Sequence, residues 1–285
     1  MDIRKIPANI AFKLILPKLG KCHYEYGTNI FFGGAIFPKI KIMIISRNNA
    51  LIKRIRSLKD KKWRDREGVY VAEGIKTVKE AYLNGCEIEL AIGTEKALKQ
   101  ADSVKVPYEC VSEDVFRSIS GEVSPQGLLC IIKKPRRSLS APRGRCVFLD
   151  GVSDPSNVGA IIRTAAASGF NDVYAAGCAD AYNPKSVRAS MGGLFRINVY
   201  EGEREELLKF VDLPLVVADM YGENVFDAVV PDKFCLVIGN EANGISDTLK
   251  KAAYKKISIP MQNGMESLNA AVSAGILMYL IGIER

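Results

Sequence analysis

A chain of 285 residues that is 48% hydrophobic has enough apolar mass for one large or two ordinary domains. Its net charge of +8 points to a polyanionic partner. A single histidine, His23, all but excludes Ser–His–Asp and Cys–His catalysis, His-ligated zinc and histidine general bases, so no metal is expected.

Seven scattered cysteines without a CxxC pair fit a reducing cytoplasm better than a disulfide framework. The longest apolar run, Ala270 to Ile283, has 14 residues, short of the roughly 18 needed to cross a bilayer, so no membrane partner is expected. The charge is divided unevenly. Residues 1–42 hold 7 basic and 2 acidic groups (+5), residues 43–145 hold 21 and 13 (+8), and residues 146–285 hold 12 and 17 (−5). The front half is built to meet a polyanion and the back half for something else.

In chain order, residues 1–42 mix Ile, Phe, Pro and Gly without periodicity and lack the layout of a signal peptide. They read as an N-terminal extension, either disordered or upstream of a true start at Met43. From Asn49 to Arg66 the spacing predicts one helix. Leu51, Ile52, Ile55 and Leu58 form its apolar stripe, and Lys53, Arg54, Arg56, Lys59, Lys61, Lys62, Arg64 and Arg66 its basic face. VYVAEG (69–74) reads as a strand, and Ile75 to Asn84 as a helix closed by Gly85. IELAIG, VPYECV and GLLCII add strands, giving a small α/β domain over 43–135. KKPRRSLSAPRGR (133–145) is polar, basic and proline-bearing, which sets a linker at 136–145 before a second domain at 146–285.

In that second domain CVFLDGV, VYAAG, FRINVY, LVVADM, CLVIGN and ISIPM alternate with helical stretches. Such alternation predicts a largely parallel sheet covered on both faces, with ligands beyond the C-terminal strand ends. Three polar, glycine-bearing loops follow strands of this sheet. The first, DGVSDPSNVGAIIRTAAASGF (150–170), sets Asn157 and Arg163 six residues apart, which share a face only if Asn157 precedes the regular helix. The second is LVIGNEANGIS (236–246). The third, in ISIPMQNGMESLNAAVSAGILMYLI (257–281), opens a helix on Ser267, Leu268 and Asn269, where capping and ligand binding compete as explanations. There is no GxGxxG after the first strand and no GxxxxGK[ST], so dinucleotide and P-loop chemistry lack their phosphate cradles.

SNVGAIIRTAAASGF, VIGNEANGIS and ISIPM…SLNAAVSAGILMYL resemble, in order and spacing, the three signature motifs of the SpoU branch of the SPOUT RNA methyltransferases. The stretch 43–135 is similar to the ribosomal-protein-like RNA-binding domain that often precedes them. The resemblance implies a trefoil-knotted α/β catalytic domain, a homodimer, and methyl transfer from S-adenosylmethionine to a ribose 2′-hydroxyl of ribosomal or transfer RNA. The ribosomal-protein likeness favours ribosomal RNA. It also implies cofactor contacts at Gly239, Asn240, Ile259, Met261 and Leu268, and fixed catalytic positions at Asn157, Arg163, Glu241, Ser267 and Asn269.

Methyl transfer from a sulfonium is an in-line displacement, so positioning supplies much of the rate. Arg163 and Glu241 are the candidate bases for the ribose proton. Neutralising a free guanidinium, with a pKa of about 12.5 or more, costs roughly 7 kcal/mol at neutral pH. Arg163 is therefore assigned first to holding phosphate and hydroxyl; Asn157 is expected to orient Arg163 or the ribose, and Glu241 to anchor Arg163 or loop backbone. The basic helix then meets RNA phosphates, and Trp63, Tyr70 and Tyr82 are stacking candidates as well as core candidates. Two rival readings remain: a non-catalytic RNA-binding protein with the same fold, and a small-molecule enzyme with a nucleotide cofactor.

Overall fold

The computed structural model describes residues 22–32 and 35–282. The first six strands, β1 (Cys22–Phe32), β2 (Ala35–Ile44), β3 (Val69–Glu73), β4 (Ile88–Gly93), β5 (Tyr108–Val111) and β6 (Leu128–Lys133), form a mixed sheet in the order β1-β2-β5-β4-β6-β3. Helices α1 (Ala50–Ser57), α2 (Lys61–Glu67), α3 (Ile75–Leu83), α4 (Glu95–Gln100) and α5 (Glu113–Ile119) connect them. Residues 22–32 and 35–42, expected to carry no element, pair as an antiparallel hairpin whose second strand runs parallel to β5. Residues 1–21 of the expected extension lie outside the described residues.

The predicted helix over Asn49–Arg66 is two helices. Its continuation stops at Leu58, and Asp60 caps a new helix by accepting from the Lys62 N–H (3.1 Å). An aspartate that satisfies its own local backbone competes with helix propagation, which amphipathic spacing does not register. Arg64 then reaches back to the carbonyls of Leu58 (2.8 Å) and Lys59 (2.7 Å), satisfying groups that the break leaves orphaned.

The second sheet is parallel throughout, as the alternation predicts. β7 (Cys146–Asp150), β8 (Asp172–Ala176), β9 (Asn198–Gly202), β10 (Leu215–Asn224), β11 (Cys235–Gly239) and β12 (Lys255–Ser258) stand in the order β12-β10-β11-β7-β8-β9. Helices α6 (Pro155–Ala167), α7 (Pro184–Ala189), α8 (Arg204–Leu208), α9 (Asp247–Lys251) and α10 (Ala270–Gly282) cover it. The central strands β7 and β8 are buried along their whole length, which is why they read as unbroken apolar runs.

One apolar core runs through both sheets. Tyr70, Ala72 and Leu128 from the first belong to the same cluster as Val158, Ile161 and Leu194 around the second. Tyr182 seals the join, its ring 5.0 Å from that of Tyr70, with the Lys134 ammonium 4.8 Å above it. Tyr70, a stacking candidate in the sequence, is therefore core, while Trp63 and Tyr82 stay partly exposed.

Candidate active site

The three loops meet beyond the C-terminal ends of β7, β11 and β12, and side chains tie them together. The Asn157 amide nitrogen donates to one Glu241 carboxylate oxygen at 2.7 Å. The other oxygen accepts from the backbone N–H (3.2 Å) and hydroxyl (3.1 Å) of Ser153. The Asn269 amide donates to the Asn157 carbonyl oxygen at 3.0 Å. Glu241, Asn157 and Asn269 thus form one relay across three loops that are far apart in sequence.

Each member of the relay has a local reason for its place. Asp154 caps α6 by accepting from the Ser156 N–H (2.8 Å), and Pro155 fits the first turn. That starts the helix early enough to make Asn157 part of it and bury it. Asn269 is the cap of α10, its side-chain oxygen accepting from Ala271 N (2.9 Å) and Val272 N (3.2 Å) while its amide serves the relay. Capping and site assembly are one feature at this position. The helix begins at Ala270, after all three residues predicted to open it, which leaves Ser267 and Leu268 exposed in the preceding loop.

Burial pushes the Glu241 carboxyl up, but donors from Asn157, its own backbone and Ser153 together outweigh burial and hold it below its ordinary value of 4.5. It is ionised at neutral pH and both oxygens are occupied, which suits an anchor better than a base.

Arg163 stands apart from the relay. Because Asn157 lies within α6, the two residues occupy different faces: Asn157 is buried and Arg163 exposed. Neither Asn157 nor Glu241 hydrogen-bonds the guanidinium; of the two roles expected for Glu241, the structure has it holding loop backbone at Ser153. Helix α6 carries it between Ile162 and Thr164 on a rigid element packed closely against α7. A Cβ at Gly159 would sit 2.3 Å from the Ser186 carbonyl oxygen.

The second loop is shaped by Gly239 and Asn240. A Cβ at Gly239 would lie 2.5 Å from the Gly244 carbonyl carbon, so only glycine fits without rearrangement. Asn240 and Gly244 exchange backbone hydrogen bonds at 2.9 and 3.0 Å, and the Asn240 amide donates to Gly151 O at 2.7 Å. Ile259 and Met261 are half-buried on the segment leaving β12. Between Ser258 and Ala270 the chain has no helix or strand, which leaves its backbone polar groups outside any ladder. The donor set fits S-adenosylmethionine, whose adenine edge and amino-acid end call for small residues and open backbone groups. Ser246 Oγ, buried beside this loop with no hydrogen-bond partner among the described residues, is a further available group.

Sequence reasoning missed two supports. Ser153 anchors Glu241, and the buried Asp150 at the end of β7 accepts from Ser246 N (2.8 Å) and from Arg204 (2.7 Å). An aspartate closing the apolar run CVFLD was the available signal for the latter.

The basic face of the front helices is divided. Arg64 is 1% exposed and pairs with Asp180 at 2.5 Å, so it joins the two halves of the chain instead of facing RNA. Arg54 is held by Glu67 (2.7 Å) and Glu89 (2.6 Å), and Arg56 by Ser118 (2.7 Å) and the Arg47 carbonyl (3.2 Å). Lys61 pairs with Asp65 (3.2 Å) and the Lys59 ammonium donates to the Ser120 carbonyl (3.3 Å), while Lys53 and Lys62 are exposed and Arg66 lies over the Trp63 ring. Guanidinium forks suit buried carboxylates and carbonyls, so arginines were drawn inward and lysines left out.

The SpoU rRNA methylase family matches residues 144–279, and the MRM3-like substrate binding domain matches residues 49–130. The chain is similar to the Bacillus subtilis 23S rRNA (guanosine(2553)-2′-O)-methyltransferase RlmP, 31% identical over 245 residues that cover 83% of this chain and 97% of the relative. It is 29% identical over 258 residues to the Streptomyces viridochromogenes 23S rRNA (uridine(2479)-2′-O)-methyltransferase, covering 83% and 90%. Among solved structures, the AdoMet-bound rRNA methyltransferase from Sinorhizobium meliloti superimposes with a TM-score of 0.75 at 28% identity, covering 84% of this chain and 96% of that one. With three loops assembled as the motifs require and relatives matched nearly end to end, the chain belongs to the SpoU rRNA methylase family.

Proposed function

We propose that this protein methylates a ribose 2′-hydroxyl of ribosomal RNA, using S-adenosylmethionine. The observation that carries the reading is the relay from Glu241 through Asn157 to Asn269, which fixes three loops around one space, with Arg163 exposed on the helix that carries Asn157. The relatives named above, both 23S rRNA 2′-O-methyltransferases, support ribosomal over transfer RNA.

S-adenosylmethionine, when bound, supplies an electrophilic methyl group on a sulfonium. The chain's own task would be to hold the ribose 2′-oxygen in line with that methyl group. Arg163 holds the RNA phosphate and 2′-oxygen on the line of attack, where its two-pronged guanidinium restricts the approach. Glu241, already serving three donors, keeps loops one and two in register. With both oxygens committed to those donors, Glu241 is occupied as an anchor and is not open to take the ribose proton. Gly239, Asn240, Ile259, Met261 and Leu268 surround the cofactor, and Ser267 steadies the loop that covers it.

The finer architecture follows the same reading. The catalytic half is knotted through the loops after β11 and β12, and the front half is a ribosomal-protein-like RNA binder in which Lys53, Lys59, Lys61, Lys62 and Arg66 meet phosphates. Two chains pair through the catalytic half. Helix α10 supports this, since it packs Ala274, Leu277 and Met278 inward and still exposes Val272 and Tyr279. Cysteines outside any disulfide, including the buried Cys130, Cys146 and Cys235, fit a cytoplasmic location.

The test supplies labelled S-adenosylmethionine with unmodified ribosomal and transfer RNA. Label in ribosomal RNA alone is expected. Label in transfer RNA alone overturns the substrate, and cofactor binding without transfer to either RNA favours a non-catalytic binder.

A further inference from the structure

With Arg54, Arg56 and Arg64 committed to intramolecular partners, the open cationic groups of the front half concentrate elsewhere. A cleft of about 800 Å³ lies between α3 and α4, lined by Lys76, Lys79 and Lys96 among others. Lys76 and Lys96 are exposed, Lys79 is half-buried, and none of the three has an ion-pair or hydrogen-bond partner among the described residues. Two carboxylates also line the cleft. Glu80 is taken up by Arg196, which leaves Glu113 to offset three lysines. A second cleft of about 630 Å³ continues the first, sharing Thr94, Lys96, Gln100 and Glu113.

The cleft wall reaches the catalytic arginine through one turn of chain. A Cβ at Gly192 would lie 3.6 Å from the Glu80 Cβ, and a Cβ at Gly193 would lie 2.9 Å from the Arg163 Cα. The turn therefore touches α3 on one side and the backbone of Arg163 on the other. Its tip, Met191, is 52% exposed and holds φ 47°, a left-handed conformation uncommon for a side chain of this size.

We propose that this cleft holds the single-stranded RNA flanking the target nucleotide, with its phosphates on Lys76, Lys79 and Lys96 and its path crossing the 191–193 turn to Arg163. The volume is that of a small-ligand site, which admits a few nucleotides of one strand and no duplex. Three ammonium groups beside one carboxylate are complementary in charge to a phosphate backbone. The inference rests on the RNA-methylating reading above and adds where the RNA runs.

The test compares a triple variant, Lys76→Gln, Lys79→Gln and Lys96→Gln, with a charge-matched triple on the catalytic half, Lys209→Gln, Lys233→Gln and Lys251→Gln, all three exposed and outside the cleft. The full chain is titrated with a large-subunit ribosomal RNA transcript over a range of salt, and S-adenosylmethionine binding checks folding. Each lost single-strand phosphate contact lowers the salt slope of log Kd by about 0.7, so the cleft triple should lower it by about 2 and weaken binding at least tenfold. The control triple should change little, and cofactor affinity should hold in both. Equal slopes for wild type and the cleft triple, or equal losses in the two triples, overturn the cleft. Wild type that binds RNA with the expected slope difference but transfers no methyl overturns the catalytic reading and leaves the cleft standing.

Discussion

At the scale of single residues, the site separates an anchor from an actor. Glu241 is occupied by Asn157 and Ser153, whereas Arg163 is exposed and outside the relay. Arg163→Lys keeps the charge and loses the fork, so kcat should fall on the order of 100-fold with S-adenosylmethionine affinity unchanged. Single-turnover kinetics beside cofactor titration would check this, and near-normal turnover would remove the bidentate role. Glu241→Gln places an amide donor against existing donors and should loosen the loops. The sign of its pH dependence is fixed because the folded carboxyl lies below its ordinary value of 4.5. Its stabilising contribution is complete above the ordinary carboxylate range and is lost as pH falls through the folded value. Thermal melts should show wild type above Glu241→Gln at neutral pH, with the gap closing in acid. A gap that widens in acid would contradict the arrangement.

At the scale of elements, the strands and most helices were legible because their signals are local. β7, β8, β10 and β11 appear where apolar runs predicted them, β9 and β12 overlap the predicted FRINVY and ISIPM only in part, and the helix ending before Gly85 appears where that glycine, at φ 70°, predicted its end. The break after Leu58 was not legible, because it depends on Asp60 capping the next turn and on Arg64 answering the open carbonyls from beyond it. Asn157 and Arg163 could share a face only if Asn157 preceded the helix, and Asp154 and Pro155 start α6 early enough to include it, so the two lie on different faces. That all three loops meet at one edge was readable from strand order, but which side chains join them was not. The second loop offers a sharp test of element packing. Gly239→Ala would force a methyl to within 2.5 Å of Gly244, so β11 or the loop must shift, at roughly 1–3 kcal/mol. Chemical denaturation should register that cost, with cofactor affinity falling alongside it; a fully stable, fully binding variant would mean the loop is looser than it looks.

At the scale of the whole molecule, the front and back halves are one packed unit. The Arg64–Asp180 pair lies inside it, 1% and 6% exposed, where a lone charge would be costly. Arg64→Met or Asp180→Asn should each destabilise the chain by about 3–5 kcal/mol, and the double variant by less than the sum. Denaturant unfolding of the three variants would check this, and additive losses would show that the pair is not coupled. The charge division along the sequence anticipated a basic front and an acidic back, but it could not tell an arginine facing solvent from one drawn into the seam. The central claim is that this assembly delivers a methyl group to a ribose hydroxyl. The most direct measurement is alkaline hydrolysis of RNA labelled by the purified protein from S-adenosylmethionine. A 2′-O-methyl removes the hydroxyl that attacks the neighbouring phosphate, so label is expected in alkali-resistant dinucleotides. Label in mononucleotides would mean base methylation and would contradict the account.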